Sequence, residues 1–144
     1  MNQAAIFLPV AALALLTLSV LLLVPIRRFR ASFARQVTAE DFKYGESARV
    51  PPEVSIPNRN LMNLLELPVL FYVACIILYL TQGVDALALD LAWAYVALRT
   101  VHSAIHLSYN KVEHRLTVYA LSNAVLTLIW LRLLLALTRI AGVA

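Results

Sequence analysis

Three apolar stretches of the chain each carry polar or ionisable side chains at helical spacing. Positions three, four or seven residues apart lie on one face of an α-helix, so each set forms a polar stripe. The stripes are Arg59, Asn63 and Glu66; then Arg99, His102 and His106, with Ser103 beside them; and finally Arg115, Tyr119 and Asn123. Ionisable groups inside membrane helices are costly and normally face a partner or a wet cavity. The stripes are therefore predicted to face one another.

The stripes hold more cationic than anionic side chains. Arg59 and Arg115 begin their helices and His106 ends its own at the same predicted end, which indicates a single polar pocket there. Such a pocket favours an anionic ligand, because a guanidinium pairs well with a planar carboxylate. Two alternatives remain open. One is an ion-paired bundle, for instance Glu66 with Arg99, that only fixes helix packing. The other is a proton or ion pathway through the acid and the histidines.

The composition around these stripes predicts a membrane protein. Of the 144 residues, 62% are hydrophobic and only 14% are charged, whereas a soluble domain has roughly 45–50% apolar residues. Ten arginines accompany two lysines. In a membrane protein this basic balance reflects topology and anionic lipid rather than nucleic acid. The single cysteine, Cys75, leaves no internal disulfide, and the sequence contains no metal-binding motif.

The apolar stretches predict an all-α fold, an integral membrane four-helix bundle in one domain over residues 1–144. Each stretch is long enough to supply the ~20 residues needed to cross the hydrocarbon core. The helices are expected over about 4–26, 58–80, 86–109 and 115–139, with a polar loop over 27–57. Arginines, not a small-residue cleavage site, follow the first stretch, so it is predicted to be a retained helix rather than a signal peptide. In the loop, Thr38 and Asp41 have the spacing of a helix cap.

Basic residues in the short loops predict the orientation in the membrane. The first loop carries at least six, the second none, and the third has Lys111 and Arg115. Loops one and three are therefore expected on the cytoplasmic side of a cell membrane, with both termini outside. Near the C-terminus, Arg132 and Arg139 are expected to extend to the outer interface.

The order of these motifs resembles the MAPEG family, the membrane-associated proteins in eicosanoid and glutathione metabolism. Arg59-x-x-x-Asn63-x-x-Glu66, followed by Pro68, is similar to the second-helix motif of that family. The later segments, Arg99-x-x-His102-Ser103-x-x-His106 and Arg115-x-x-x-Tyr119, are similar to its third and fourth helices. The resemblance spans most of the chain and is nearest to the prostaglandin E synthase and microsomal glutathione transferase branches.

The resemblance implies a homotrimer that binds glutathione between neighbouring subunits near the cytoplasmic face. By that resemblance, Arg115 stabilises the glutathione thiolate. The residues implied to hold the cosubstrate are Arg59, Asn63, Glu66, Arg99, His106 and Tyr119. The chemistry agrees, because glutathione has two carboxylates and one ammonium group, which arginines and a glutamate complement.

Three positions depart from the pattern of the prostaglandin branch. His106 stands where related synthases have a tyrosine, and Met62 stands where that branch has a further basic residue. Leu116 replaces the serine that follows the arginine, which disfavours prostaglandin-type isomerase chemistry. The resulting expectation is a glutathione-dependent transferase or peroxidase that acts on lipophilic electrophiles from the membrane lipid. The alternative is a non-catalytic lipid-binding or scaffold protein of the same fold.

Overall fold

The computed structural model describes residues 2–140 and residue 142 of the chain, and this part is all-helical. Single turns of 3-10 helix lie at Gln3–Ile6 and at Ala39–Phe42. The α-helices are α1 (Phe7–Phe33), α2 (Pro52–Leu65), α3 (Pro68–Leu80), α4 (Ala86–Leu107) and α5 (Val112–Ile140). Because α2 and α3 are two halves of one span, the chain forms a four-helix bundle, as the sequence predicts.

The first helix continues seven residues past the predicted end at Ile26 and ends at Phe33. Hydropathy predicts only the part of a helix that faces lipid. The helix itself continues into the polar segment, because arginine and alanine also favour the helical state. The extension packs Ala31 against Val37, Val50 and Val54. The polar loop is therefore shorter than the predicted 27–57.

The second span is broken rather than continuous. It begins at Pro52, since proline is well suited to the first position of a helix. α2 ends at Leu65, and Glu66 has φ −83° and ψ −99°, outside the helical region. α3 then begins with Pro68. Proline has no N–H to donate and its ring opposes the preceding turn, so Glu66 lies at a break and not on one continuous helical face.

The bundle packs through one apolar core. α4 packs most extensively on α5, and α1 packs on α2. The fully buried side chains of the core include Ile6, Leu13, Phe71, Cys75 and Tyr95. The outer faces of the helices remain apolar, as Leu15 and Leu22 of α1 show with 63% and 64% exposure. An exposed leucine surface of this kind is expected to face lipid.

Contacts at the two ends show which loops lie together. At one end, the Gln3 side chain exchanges two hydrogen bonds with the backbone of Val84, and Arg132 pairs with Asp85 at 2.6 Å. At the other end, Leu23 and Arg27 of α1, Glu53 of α2 and Ser108 after α4 line a common cleft. The first and third loops therefore share one end of the bundle, and the second loop lies at the opposite end.

The first loop is held by Asp41. The Thr38–Asp41 cap predicted from the sequence is confirmed as a complete capping box. Thr38 N–H donates to Asp41 Oδ2 at 2.8 Å, while Ser47 Oγ and Arg49 Nη2 donate to Oδ1 at 2.7 and 3.0 Å. These bonds, the backbone donor foremost, hold the pKa of the Asp41 carboxyl far below its usual value.

Three stretches are long and apolar enough to cross a membrane, namely Gln3–Phe33, Pro52–Leu80 and Val112–Arg139. α4 is not among them by composition, although its 22 residues extend about 33 Å at 1.5 Å per residue. Its polar side chains lower its hydropathy, but Arg99, His102 and His106 are buried inside the bundle. The integral membrane four-helix bundle thus agrees with the prediction, while the trimer stays a prediction.

Candidate functional site

Arg99 lies at the centre of the polar region and is fully buried, with 0% of its surface exposed. Its Nε donates a hydrogen bond to Tyr95 Oη at 3.0 Å. The guanidinium carbon lies 5.3 Å from the ring centroid of Tyr95 and 5.1 Å from that of Tyr119. Nη1 and Nη2 have no hydrogen-bond partner in the described chain. A buried cation with two unpaired donors is costly, so it requires an acceptor from elsewhere.

His102 and His106 lie one turn apart on α4 and are both about 3% exposed. His102 Nδ1 is 3.2 Å from the carbonyl oxygen of Arg115. A carbonyl only accepts, so this bond places the proton on Nδ1. The His102 ring lies 5.8 Å from that of His106 and 5.6 Å from that of Tyr119, between centroids. His102 Nε2 and His106 Nδ1 have no partner, so both rings hold unused hydrogen-bonding capacity.

Arg115 stands in the first turn of α5 and is half-buried. Its Nη1 donates to Asn110 Oδ1, and Asn110 has the left-handed φ of 50° in the turn before the helix. An arginine near a helix N-terminus is opposed by the helix dipole, by about 0.3–1 kcal/mol. The position is therefore poor for stability, which favours a functional role.

A cleft of ≈ 190 Å³ opens beside this arginine. Its lining consists of Asn63, His102, Val112, Arg115, Leu116 and Tyr119. The cleft thus combines residues of all three polar stripes, from α2, α4 and α5. It has no acidic side chain in its lining, so its electrostatic character is cationic.

Not all of the predicted site residues meet within the described chain. Arg59 and Glu66 are exposed, and Asn63 is half-buried with its Nδ2 bonded to the Arg59 carbonyl at 3.0 Å. Among the described residues, no ion pair joins Glu66 to Arg99. The ion-paired bundle considered from the sequence is therefore not formed through this pair. The exposed pair instead gives α2 an outward polar surface.

Sequence reasoning missed Asn60, which is also 0% exposed. Its Oδ1 accepts from Ser103 Oγ of α4 at 3.3 Å, and its Nδ2 has no partner. The signal was present, because Asn60 lies three residues after Pro57 and four before Leu64, both on the buried face of α2. An amide at an apolar position of a membrane helix normally hydrogen-bonds across helices.

A larger apolar groove of ≈ 570 Å³ lies between α3 and α5. Its lining is Leu67, Leu70, Asn123, Leu126, Thr127, Trp130, Leu131 and Leu134. Along α5, the cleft residues Leu116 and Tyr119 are followed by Asn123, at spacings of three and four. Helical positions at these spacings share a face, so the cleft and the groove lie along one face of α5.

The donors around the cleft match an anionic ligand better than a metal ion. In the part of the chain that the structure describes, no group of three or more histidines, cysteines or acidic residues is placed to hold a metal. Arginines and unpaired nitrogens are instead suited to carboxylate or thiolate groups.

A comparison with known families gives one match. Residues 6–135 match the sequence profile of the MAPEG family. No curated protein and no solved structure matches the chain significantly. The matched range contains every residue of the three polar stripes and of the cleft. Because it covers most of the 144 residues, the chain belongs to the MAPEG family.

Proposed function

We propose that this protein is a membrane-embedded, glutathione-dependent transferase or peroxidase that acts on apolar electrophiles. The observation that carries the proposal is the buried guanidinium of Arg99, whose Nη1 and Nη2 have no partner in the described chain. This guanidinium lies 5.1 Å from the ring of Tyr119, which lines the cleft together with Arg115. Two cations without an internal anion favour a ligand that brings its own carboxylates, and membership of the MAPEG family makes glutathione the expected one.

The carboxylates of glutathione are assigned to the arginines. A guanidinium binds a carboxylate through two parallel N–H donors, and Nη1 and Nη2 of Arg99 are the free pair. Asn63 reaches the cleft, whereas Arg59 and Glu66 face outward. These outward residues complete the site if a second copy packs on α2, so the proposal includes a homotrimer with glutathione between protomers.

Arg115 is assigned to the thiolate, with Tyr119 and His106 as further binding residues. A cation within about 4–6 Å favours the charged form of an acid and lowers a pKa by about 1–3 units. The thiolate sulfur then donates its electron pair to an electrophilic carbon. A C–S bond forms, and the leaving group departs with the electrons of its broken bond. With a hydroperoxide, the sulfur attacks the terminal oxygen and the O–O bond breaks, and the alkoxide takes up a proton and leaves as an alcohol. A second glutathione thiol then attacks the sulfenic acid that has formed, so that water leaves and the disulfide is produced.

The apolar groove is assigned as the binding site of the second, lipophilic substrate. It opens on the face of α5 that also carries Arg115, so a lipophilic molecule in the groove has its end directed toward the cleft. The proposed topology is that of a multi-pass membrane protein. Its cleft lies on the cytoplasmic side, as the basic residues of the loops predict.

The test is calorimetry and ultraviolet thiolate absorbance on purified protein with glutathione. Wild type is expected to bind glutathione and to raise its thiolate fraction near neutral pH. Arg115→Ala is expected to lose most of the thiolate signal, equivalent to a pKa rise of about 1–3 units. Arg139→Ala, an exposed arginine at the far end of the same helix, serves as the charge-matched control. Absence of glutathione binding at millimolar concentration rejects the proposal.

The alternative is a non-catalytic lipid-binding or scaffold protein. The observation in its favour is the apolar groove, whose ≈ 570 Å³ is about three times the ≈ 190 Å³ of the cleft. Mass spectrometry of lipid that copurifies with the protein distinguishes the two. Stoichiometric lipid with no effect of glutathione supports the alternative, whereas lipid displaced by an electrophile and thiol supports the enzyme.

A further inference from the structure

The arginines of this chain differ in the kind of oxygen that accepts their hydrogen bonds. Arg99 and Arg115 each donate to a neutral oxygen, from Nε to Tyr95 Oη and from Nη1 to Asn110 Oδ1 at 2.5 Å. Among the described residues, the other arginines with a side-chain acceptor bond a carboxylate, in the pairs Arg28–Glu46, Arg49–Asp41 and Arg132–Asp85. A carboxylate offsets the charge of the arginine that it holds, whereas a neutral oxygen leaves that charge in place.

Asn110 lies in the turn between α4 and α5 and is bonded to both helices. Its backbone N–H donates to the Ile105 carbonyl of α4 at 2.9 Å, and its side chain accepts from Arg115 of α5. Its φ of 50° is in the left-handed region, which asparagine enters at a lower cost than most residues. Asparagine thus combines this backbone conformation with a short, neutral acceptor.

The bond to Asn110 uses one of the five N–H donors of the Arg115 guanidinium. In the part of the chain that the structure describes, the Arg115 side chain has no other hydrogen bond and no ion pair. Arg115 lines the cleft, and its carbonyl oxygen is also held, 3.2 Å from His102 Nδ1. The guanidinium is therefore held at one nitrogen while its remaining donors stay available to a ligand.

We propose that Asn110 is a positioning residue, which holds the Arg115 guanidinium at the cleft through a neutral acceptor and so leaves its full charge for an anionic group of the ligand. A charge that is already in place costs no reorganisation when the anion arrives. A carboxylate at position 110 would instead compete with the ligand for the same cation. As a statement about the glutathione thiolate, the inference rests on the proposed function.

Two substitutions of Asn110 separate the holding of Arg115 from its charge. Asn110→Gly keeps the left-handed backbone, which glycine adopts freely, and removes the acceptor. Asn110→Asp keeps the shape and the acceptor and adds a negative charge. Gln82→Gly and Gln82→Glu are the matched controls, since Gln82 is an exposed amide with φ 54° in the loop at the opposite end.

The first measurement is the thiol pKa of glutathione bound to the purified full-length protein, from ultraviolet thiolate absorbance against pH. Asn110→Asp is expected to raise this pKa by about 1 unit or more, because the carboxylate offsets the cation that favours the thiolate. Asn110→Gly is expected to raise it less, because the guanidinium is still charged but no longer held. His102 and Tyr119, which also line the cleft, are the same in every variant. The controls should titrate as wild type.

The second measurement needs no glutathione. Nuclear magnetic resonance of labelled arginine side chains reports rotation of the Arg115 guanidinium about its Nε–Cζ bond, with the signal assigned from Arg115→Lys. We expect slow rotation in wild type and in Asn110→Asp, and fast rotation in Asn110→Gly. Asn110→Asp has the same shape as wild type, so it keeps the test available if the glycine variant does not fold.

Two results overturn the inference. One is Arg115 rotation that is equally fast in wild type and in Asn110→Gly. The other is a bound-thiol pKa in Asn110→Asp that equals that of wild type, which is the result expected if Asn110 only shapes the turn. Normal glutathione binding with this unchanged pKa rejects the inference but not the enzyme. If wild type binds no glutathione, the proposed enzyme is rejected, and the rotation measurement alone decides whether Asn110 holds Arg115.

Discussion

Arg99 is the residue whose surroundings argue most directly for a bound ligand. A buried guanidinium usually has a carboxylate beside it, yet in the described part its only hydrogen bond is from Nε to Tyr95. The rings of Tyr95 and Tyr119 offer some compensation through cation–π contact, which gives about 0.5–2 kcal/mol. That is less than the several kcal/mol that desolvation of an ion costs. The balance indicates a residue kept for a ligand rather than for stability.

Arg99→Met is therefore expected to separate stability from binding. Removing an unpaired buried charge is expected to leave the melting temperature of the glutathione-free protein unchanged or higher. The same change is expected to weaken glutathione binding at least tenfold, since a hydrogen bond to a charged group contributes about 1.5–3 kcal/mol. Thermal unfolding in detergent, with and without glutathione, measures both effects.

Arg132→Met is the control for this prediction. Arg132 pairs with Asp85 at the opposite end, where both side chains are partly exposed, so its loss is expected to cost about 1 kcal/mol or less. Glutathione binding should not change. A large drop in the melting temperature of glutathione-free Arg99→Met would show instead that Arg99 is structural.

At the scale of the elements, the first loop depends on one carboxylate. Asp41 accepts from Thr38, Ser47 and Arg49, and its pKa in the folded state is lower than in an unfolded chain. A depressed folded pKa contributes stability above the unfolded value of about 4, and this contribution is lost as the pH falls below it. The loop is thus predicted to be intact near neutral pH and to loosen in acid.

Asp41→Asn is expected to remove this acid sensitivity. Hydrogen exchange of the segment between α1 and α2, corrected for the intrinsic effect of pH, should show steady protection in wild type from pH 7 to about 5, and a fall below about 4. The variant should show lower protection with little dependence on pH. Parallel curves for the two proteins would contradict the assignment of Asp41.

A second element-scale contact joins the N-terminus to the second loop. Gln3 Oε1 accepts from the Val84 N–H at 2.9 Å, and Gln3 Nε2 donates to the Val84 carbonyl at 3.1 Å. Gln3→Ala is expected to speed hydrogen exchange at the Val84 amide about tenfold, because the buried N–H loses a bond that contributes roughly 1 kcal/mol or more. Gln82→Ala, in the same loop but with an exposed side chain, is the comparison. Unchanged exchange at Val84 would show that the contact does not restrain the loop.

At the scale of the whole molecule, the bundle gathers its basic loops at one end. The first and third loops share the end that holds the cleft, and the second loop lies at the other. That this end faces the cytoplasm, as the basic residues of the loops indicate, stays a prediction.

Single cysteines test that orientation. Cys75 is fully buried, so it is expected to react poorly with a membrane-impermeant maleimide in intact cells. Gln82→Cys, in the second loop, is expected to be labelled from outside, whereas Ala48→Cys, exposed in the first loop, should be labelled only after permeabilisation. The reverse pattern would place the cleft outside the cell.

Much of the architecture was predictable from the sequence. The lengths of the apolar runs determined the helical spans, because the bilayer sets a minimum length. Helical spacing also predicted the shared polar faces of α4 and α5, and the spacing of Thr38 and Asp41 predicted their capping box. The order of the motifs pointed to the MAPEG family. All of these features depend on local spacing, which the sequence contains in full.

Only the tertiary structure decided how the polar faces are used. It placed Arg99 inside the bundle without an acid, turned Arg59 and Glu66 outward, and broke the second span at Glu66. It also revealed Asn60 beside Ser103 and aligned the polar cleft with the apolar groove. Spacing gives the face of one helix but not its rotation against another. That rotation follows from packing of side chains that are distant in sequence. It determines which polar groups pair with one another and which remain free for a ligand.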